Sequence, residues 1–325
     1  MLTALGRNKD LVMWNWRALA SRLYTLSPAA AVLLFVGGPD YYSPRTWRLA
    51  WDLGHLLVFF VWTAAVLSAS PRFAAKRIGN QLLIALPIVL LLGLCVEWAQ
   101  SVLGRSFGLR DIATDVLGSA AAIVFRSPAR FEMERAALRA AQIGVIVLVG
   151  LQSLPLARVV IDDAIAWKQF PVLSDLETPF ELTRWTSRSA ISVDHEIARQ
   201  GRASLRVPLT TEQYSGASLQ HFLSDWEGYS ALHLSIYNES GDPFVVTISI
   251  HDKQHAQTGR AFSDRFNARV TLRRGWNDID VPLVQIRNAP ARRALDLRLI
   301  RDLSIIAVAL PAPHVIYIDD IRLKR

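Results

Sequence analysis

The 325-residue chain reads as a membrane α-helical bundle of about five transmembrane helices followed by an all-β jelly-roll sandwich domain. Three observations lead there. Long apolar runs recur as far as Ala157. The excess positive charge belongs to the same half: residues 1–160 carry 16 Lys+Arg against 8 Asp+Glu, whereas residues 161–325 carry 20 of each. From about Asp162 the texture changes to short alternating apolar and polar runs broken by turn residues, the period of strands. The expected domains are therefore 1–160 and 161–325.

In chain order, Arg7, Lys9, Arg17 and Arg22 precede a first apolar run, expected as an uncleaved span over about 20–38 because Gly37-Gly38-Pro39-Asp40 is a turn and not a small-residue cleavage site. Further spans are expected over 50–69, 81–99, 111–125 and 140–157. Pro87 lies inside the third, where neighbouring helices accommodate it. Gly118-Ser119-Ala120-Ala121-Ala122 gives the fourth a face of small residues suited to close packing. Basic residues fix the orientation. The N-terminus, the loop around Arg72, Lys76 and Arg77, and the 126–139 loop together hold 11, the alternate side 5. The N-terminus is then cytoplasmic and the C-terminal domain extracytoplasmic, in a bacterial-type inner membrane.

The second half yields strands over 203–209, 231–237, 244–251, 269–272, 277–281, 303–310 and 315–323, with Asn238-Glu239-Ser240-Gly241-Asp242-Pro243 as a hairpin turn. The same turn chemistry accounts for its match to a glycosylation acceptor. Trp185, Trp226 and Trp276 are expected as core or sheet-packing residues. The one cysteine, Cys95, allows no intrachain disulfide and no thiolate metal cage. No basic stripe interleaved with aromatics points to nucleic acid, and no phosphate loop, nucleophile elbow, zinc-hydrolase motif or dinucleotide fingerprint is present.

Charge at membrane depth is costly and asks for a reason. Three polar pairs supply the question: Asp52 and His55, Glu97 and Gln100, and Asp111 and Asp115. Each pair shares a helix face, and the expected topology puts all three on the outer side, with Arg105 in the loop between the last two. One account is structural, with Asp111 suiting the positive end of its helix. Asp115 lies a turn deeper, where capping no longer explains it. His55 beside a carboxylate has the makings of an acid or base, so His55, Glu97 and Asp111 are the catalytic candidates. His55, Glu97, Asp111 and Asp115 could form a mixed nitrogen and oxygen metal set, although no motif spacing supports one.

These residues resemble a family. An E-x-x-Q ending one helix, a short Gly-Arg loop, D-x-x-x-(N or D)-x-x-G opening the next, and an earlier D-x-x-H are similar to VanZ-like membrane proteins, over roughly 23–124. The chain departs from that pattern at Asp115, where Asn is more common, and at Gly54, where Lys is. The later half, through Asp225-Trp226-Glu227-Gly228-Tyr229, Gly275-Trp276-Asn277 and Tyr317-Ile318-Asp319-Asp320-Ile321, resembles galactose-binding-like jelly rolls and carbohydrate-binding modules, over about 172–323. That resemblance implies a structural Ca²⁺ held by Asp319 and Asp320 with Asp175 or Glu177; no other cofactor is implied.

The resulting expectation is a cell-envelope protein that recognises a glycan or polyprenyl-phosphate-type headgroup at the outer leaflet. Asp52, His55, Glu97, Gln100, Arg105, Asp111 and Asp115 would bind it, Arg105 pairing with an anionic group, and the jelly roll would hold glycan. Its partners are then the bilayer and an envelope or lipid-linked glycan. The alternatives are an enzyme of envelope lipid or glycan transfer using His55 and the carboxylates, and an anchored scaffold whose jelly roll binds a protein.

Overall fold

A computed structural model describes residues 39, 43–102, 108–257 and 259–325. The expected first span and Arg105 lie outside the described residues, as does the side chain of Gln100. The chain divides into two compact units between Ala157 and Arg158.

The first unit is helical: α1 (Arg45–Ala69), α2 (Ile78–Val102), α3 (Leu109–Arg126) and α4, which begins at Arg135 and runs on to Gln169. Among the described residues, three helices are long and apolar enough to cross a membrane: Arg45–Ala69, Ile78–Ala99 and Arg135–Gln169. Helix α3, expected as a span over 111–125, is not among them. Its sequence carries Arg110, Asp111, Asp115 and Arg126, and Ile112, Leu117, Ala121, Ala122, Ile123 and Val124 are buried as it packs against α1 and α2. The small-residue face does what its composition suggests. A Cβ on Gly118 would come within 2.3 Å of the Leu56 carbonyl oxygen, so glycine is what lets α1 and α3 approach. At the next residue, Ser119, the Thr63 hydroxyl donates to Oγ at 2.9 Å, satisfying both inside the contact. At the end of the unit formed by the two basic loops, Leu67, Ala74, Ile78, Ile123 and Ala129 make a small apolar core. The acidic pairs lie toward the other ends of these helices. Leu83, Ile88 and Leu91 on α2 and Ile143, Val147 and Leu151 on α4 are exposed.

The second unit is a sandwich of two antiparallel sheets. One has strand order β3 (Ser192–Asp194), β4 (Ser204–Leu209), β11 (His314–Lys324), β6 (Ala231–Asn238), β9 (Gly275–Pro282), with β1 (Val172–Ser174) also on β11. The other runs β2 (Trp185–Ser187), β5 (Tyr214–Leu219), β10 (Ile300–Val308), β7 (Phe244–Asp252), β8 (Phe266–Leu272). Strand alternation sends Leu232, Leu234, Ile236, Ile316 and Ile318 from the first sheet against Val246, Ile248, Ile250, Leu303 and Ile305 from the second, all fully buried. Trp226 and Trp185 are core, their indole N–H groups donating to Leu223 O at 3.1 Å and Ser174 Oγ at 3.0 Å. Trp276 packs on the outer face of β9, edge-on to Tyr237 with ring centres 5.3 Å apart. The hairpin after β6 is closed by Asn238, whose buried amide donates to Asp242 O and Leu272 O, each at 3.2 Å.

The helix α4 continues where strand texture was expected from Asp162. Ala164, Ile165 and Ala166 are compatible with helix, and Asp162 has a tertiary reason to stay on it. Its carboxylate accepts from Arg184 Nε at 3.1 and 3.0 Å and from Nη2 at 2.8 Å, with Arg184 only 1% exposed.

Candidate functional site

The outer face of the β2-β5-β10-β7-β8 sheet is polar where sandwich exteriors are commonly charged. Cross-strand register aligns Thr186, Ser218, Ser304, Ser249 and Asn267 in one rung across all five strands. Ser218 and Ser304 hydroxyls share a hydrogen bond of 2.7 Å, Ser304 donates to Asp302, and Gln220 Nε2 donates to Asp302 Oδ2 at 3.3 Å. Beside this rung lies a groove of about 520 Å³ lined by Thr186, Arg188, Tyr214, Gly216, Arg265 and Ile306 among others. Gly216 keeps its floor low: a Cβ there would stand 2.0 Å from Ile305 O. Tyr214 is more than half exposed at one end.

Several polar atoms of this face are shielded from water without a hydrogen-bond partner: Ser249 Oγ, Asn267 Oδ1 and Arg265 Nε. Such groups cost about 1–3 kcal/mol each when left unpaired. A ligand rich in hydroxyls, each both donor and acceptor, would satisfy them. The adjacent end of the sheet is already saturated. Arg293 grips Asp252 through Nη2 at 2.8 Å and Asp264 through Nε at 2.7 Å, while His255 and Asp296 backbone N–H groups donate to Asp252. Burial pushes the Asp252 carboxyl up, but these donors outweigh it and hold it below the usual range. Burial lowers the His251 imidazole against the opposing pull of Asp302, keeping it neutral beside the rung. None of the sandwich-face residues that matter here was singled out as a site in the sequence; the signal available was the unusual Ser and Gly content of β5.

The expected calcium residues are engaged otherwise. Glu177 Oε1 accepts from Arg202 N at 2.5 Å and Ala203 N at 2.9 Å, and Asp319 Oδ2 from Arg199 N at 2.6 Å and Gln200 N at 3.0 Å. Asp320 Oδ2 receives Gln200 Nε2 at 3.0 Å, and Asp175 Oδ1 the Glu177 N–H at 3.3 Å. Among the described residues no three His, Cys, Asp or Glu side chains are grouped as a metal site. Backbone N–H donors of the 199–203 segment occupy these carboxylate oxygens.

In the helical unit the structure brings together five of the seven expected binding residues. His55 Nδ1 and Asp115 Oδ1 are 3.0 Å apart, both side chains 2% exposed. Asp111 lies within electrostatic range of Asp52, His55, Glu97 and Asp115. Glu97, 1% exposed, accepts the Gly108 N–H at 2.6 Å through Oε2, tying the end of α2 to the start of α3. Its Oε1 has no hydrogen-bond partner. Arg110, next to Asp111, turns away and donates to Gln152 O at 2.9 Å.

The fold and the groove define an all-β sandwich of carbohydrate-binding-module type. Residues 166–325 match the family model Carbohydrate binding domain 30. The chain is similar to the family 11 carbohydrate-binding module from Clostridium thermocellum in complex with a β-1,3-1,4-mixed-linked tetrasaccharide, at 18% identity and TM-score 0.35, over 47% of this chain and 94% of that one. It is also similar to the family 30 carbohydrate-binding module of a cellulosomal cellulase of Clostridium thermocellum, at 18% identity and TM-score 0.30, over 43% and 84% of the two chains. An exo-β-agarase matches at 15% identity and TM-score 0.35, over 47% of this chain and 24% of its own length. No curated protein matches the chain.

Proposed function

We propose that this chain is a membrane-anchored glycan-binding protein of the cell envelope, whose sandwich takes saccharide in the groove over β2, β5 and β10. The observation that carries this is the polar groove itself, with Arg265, whose Nε has no hydrogen-bond partner, in its lining and the partnerless Ser249 Oγ and Asn267 Oδ1 farther along the same sheet. The family model over residues 166–325 supports the same ligand class. In this reading the apolar helices hold the chain in a bacterial-type inner membrane with the sandwich outside the cytoplasm. The VanZ-like acidic cluster of the helical unit then meets a polar headgroup at the outer leaflet.

The test is a thermal-shift panel of envelope glycans against the full chain in detergent, with Arg265→Ala and Arg188→Ala as groove variants and Trp276→Ala as a control on the opposite sheet. Saccharide at about 100 times its dissociation constant adds roughly 2.7 kcal/mol of stability. The expected result is a shift that the groove variants lose and Trp276→Ala keeps. No shift with any glycan, or loss only in Trp276→Ala, overturns the assignment. The buried His55–Asp115 pair favours a second reading, acid–base chemistry on an envelope lipid or glycan. Product formation by purified protein that disappears in His55→Ala would establish it.

A further inference from the structure

The groove over β2, β5 and β10 has a charge character of its own. Its lining holds two arginines, Arg188 and Arg265, and no aspartate or glutamate. Arg188 follows β2 and Arg265 precedes β8, the two edge strands of the sheet, yet both line the same groove. The rung beside the serine rung runs Gly216, Ile306, Thr247 and ends on Arg269, whose exposed side chain puts a third guanidinium on this face.

The hydroxyls of the lining are already engaged within the sheet. Ser187 donates to Gly216 O at 2.7 Å, Ser215 Oγ accepts the Thr210 N–H at 2.7 Å, and Ser218 shares a hydrogen bond with Ser304. The two guanidiniums are not engaged in this way: among the described residues neither Arg188 nor Arg265 has an ion-pair partner. Carboxylates elsewhere on the sheet are taken, Asp302 by Ser304 and Gln220, Asp252 and Asp264 by Arg293. The Arg265 Nε is shielded from water with no acceptor, while its Cζ stands 5.3 Å from the Phe262 ring centre, a contact that holds the guanidinium against the ring. A sugar hydroxyl would satisfy Nε and leave the charge of both guanidiniums unopposed. An anionic group answers both needs, since a carboxylate or sulfate offers paired oxygens to the planar fork and carries the opposite charge.

We infer that the groove selects an anionic saccharide, with Arg188 and Arg265 pairing with its acid groups. The inference rests on the groove being the saccharide site and adds the class of saccharide it takes. Carboxylate and sulfate present the same chemistry here, and the two sources are separable.

The experiment is titration calorimetry of the full chain in detergent, at low and at high salt, against a panel of tetrasaccharides. The carboxylate arm is galacturonate, glucuronate and mannuronate oligomers, the sulfate arm a carrageenan oligomer. The neutral arm is methyl-esterified galacturonate, agarose and cellulose oligomers. An anionic member should bind at least about tenfold more tightly than its neutral counterpart, the scale of one charge-assisted hydrogen bond, and the advantage should shrink at high salt. The arm that binds names the acid group. Arg188→Gln and Arg265→Gln should each reduce the anionic preference about tenfold. Arg188 is exposed, so its variant carries the test should Arg265→Gln fail to fold. Neutral members binding as tightly as the anionic ones overturn the inference and leave the saccharide groove standing. A preference undiminished in both variants also overturns it, because the acid group would then be read elsewhere. Binding of no member, neutral or anionic, overturns the saccharide assignment itself and this inference with it.

Discussion

Removing Asp162 should cost the sandwich a large part of its stability. Arg184 is buried under the first strands, and its guanidinium is neutralised by a bidentate contact with Asp162, at 3.0 Å from Nε to Oδ2 and 2.8 Å from Nη2 to Oδ1. Without the Asp162 carboxylate, what remains is the Asp162 carbonyl at 3.4 Å from Nη2, the Leu173 carbonyl at 3.2 Å from Nη1 and Glu181 at 3.9 Å. Breaking one side of a buried ion pair costs about 3–5 kcal/mol, because the other charge stays buried. Glu181 offsets part of that, so about 3 kcal/mol is expected, against a domain stability on the order of 5–15 kcal/mol. The assay is urea denaturation of fragments 158–325 and 166–325 together with Asp162→Asn in the longer one. The short fragment starts where the family model does and omits Asp162. It and Asp162→Asn should both unfold at clearly lower urea than the 158–325 parent, with similar slopes. Equal midpoints for the two fragments would refute the reasoning, since Arg184 would then be tolerating burial without its counter-charge.

Burial, reinforced by Glu181, pushes the Asp175 carboxyl up to about 6 from 3.8. The unfolded chain therefore releases this proton first, and stability falls as pH rises from about 4 to about 6. Asp175→Asn should flatten that slope and raise the stability at pH 7 by about 1–3 kcal/mol, the scale of one to two pKa units, as read by denaturation across the pH range. Burial likewise depresses the His251 pKa, so its contribution runs the other way. Stability is lost as pH falls below the unfolded value, and His251→Gln should remove that loss in the same titration. Loop N–H groups already occupy oxygens of Glu177 and Asp319, so added Ca²⁺ should leave the melting temperature of fragment 158–325 unchanged; a clear rise would restore the calcium expectation. Gly118→Val should abolish folding of the helical unit, because its side chain would enter the Leu56 carbonyl, and circular dichroism in detergent would show it.

How much of this was legible in the sequence depends on strand length and on which face a strand presents. The seven strands read from alternation correspond to β4 and β6 to β11, all of six residues or more. Those missed are β1, β2 and β3, three residues each, too short to show a period, and β5. Strand β5 is the instructive case. Tyr214-Ser215-Gly216-Ala217-Ser218-Leu219 has low strand propensity through its Ser, Gly and Ala residues, and Gly216 and Ser218 on its outer face line the groove. The same residues that form the site therefore hid the strand. In the helical half the polar pairs were visible because a carboxylate in an apolar run is conspicuous, and five of the seven chosen residues do converge. Helix α3, expected as a span over 111–125, is the helix that α1 and α2 bury, and the charges at 110, 111, 115 and 126 leave it less apolar than the three long helices.

Satisfaction of polar groups separates the constellations better than their charge does. The Arg293–Asp252–Asp264 cluster is the most densely charged in the sandwich, yet both carboxylates and the guanidinium are matched within the chain. Glu177 and Asp319, conspicuous in sequence, are likewise spent on backbone N–H groups. A ligand approaching any of these would have to displace an existing partner. At Ser249, Asn267 and Arg265 in the sandwich no hydrogen-bond partner has to be displaced. Folding has already paid to desolvate these atoms, so each hydrogen bond a ligand makes to them returns nearly its full value instead of the small difference left after exchange with water. Hydroxyl-rich saccharide answers this set, which mixes donors and acceptors among a hydroxyl, an amide and a guanidinium.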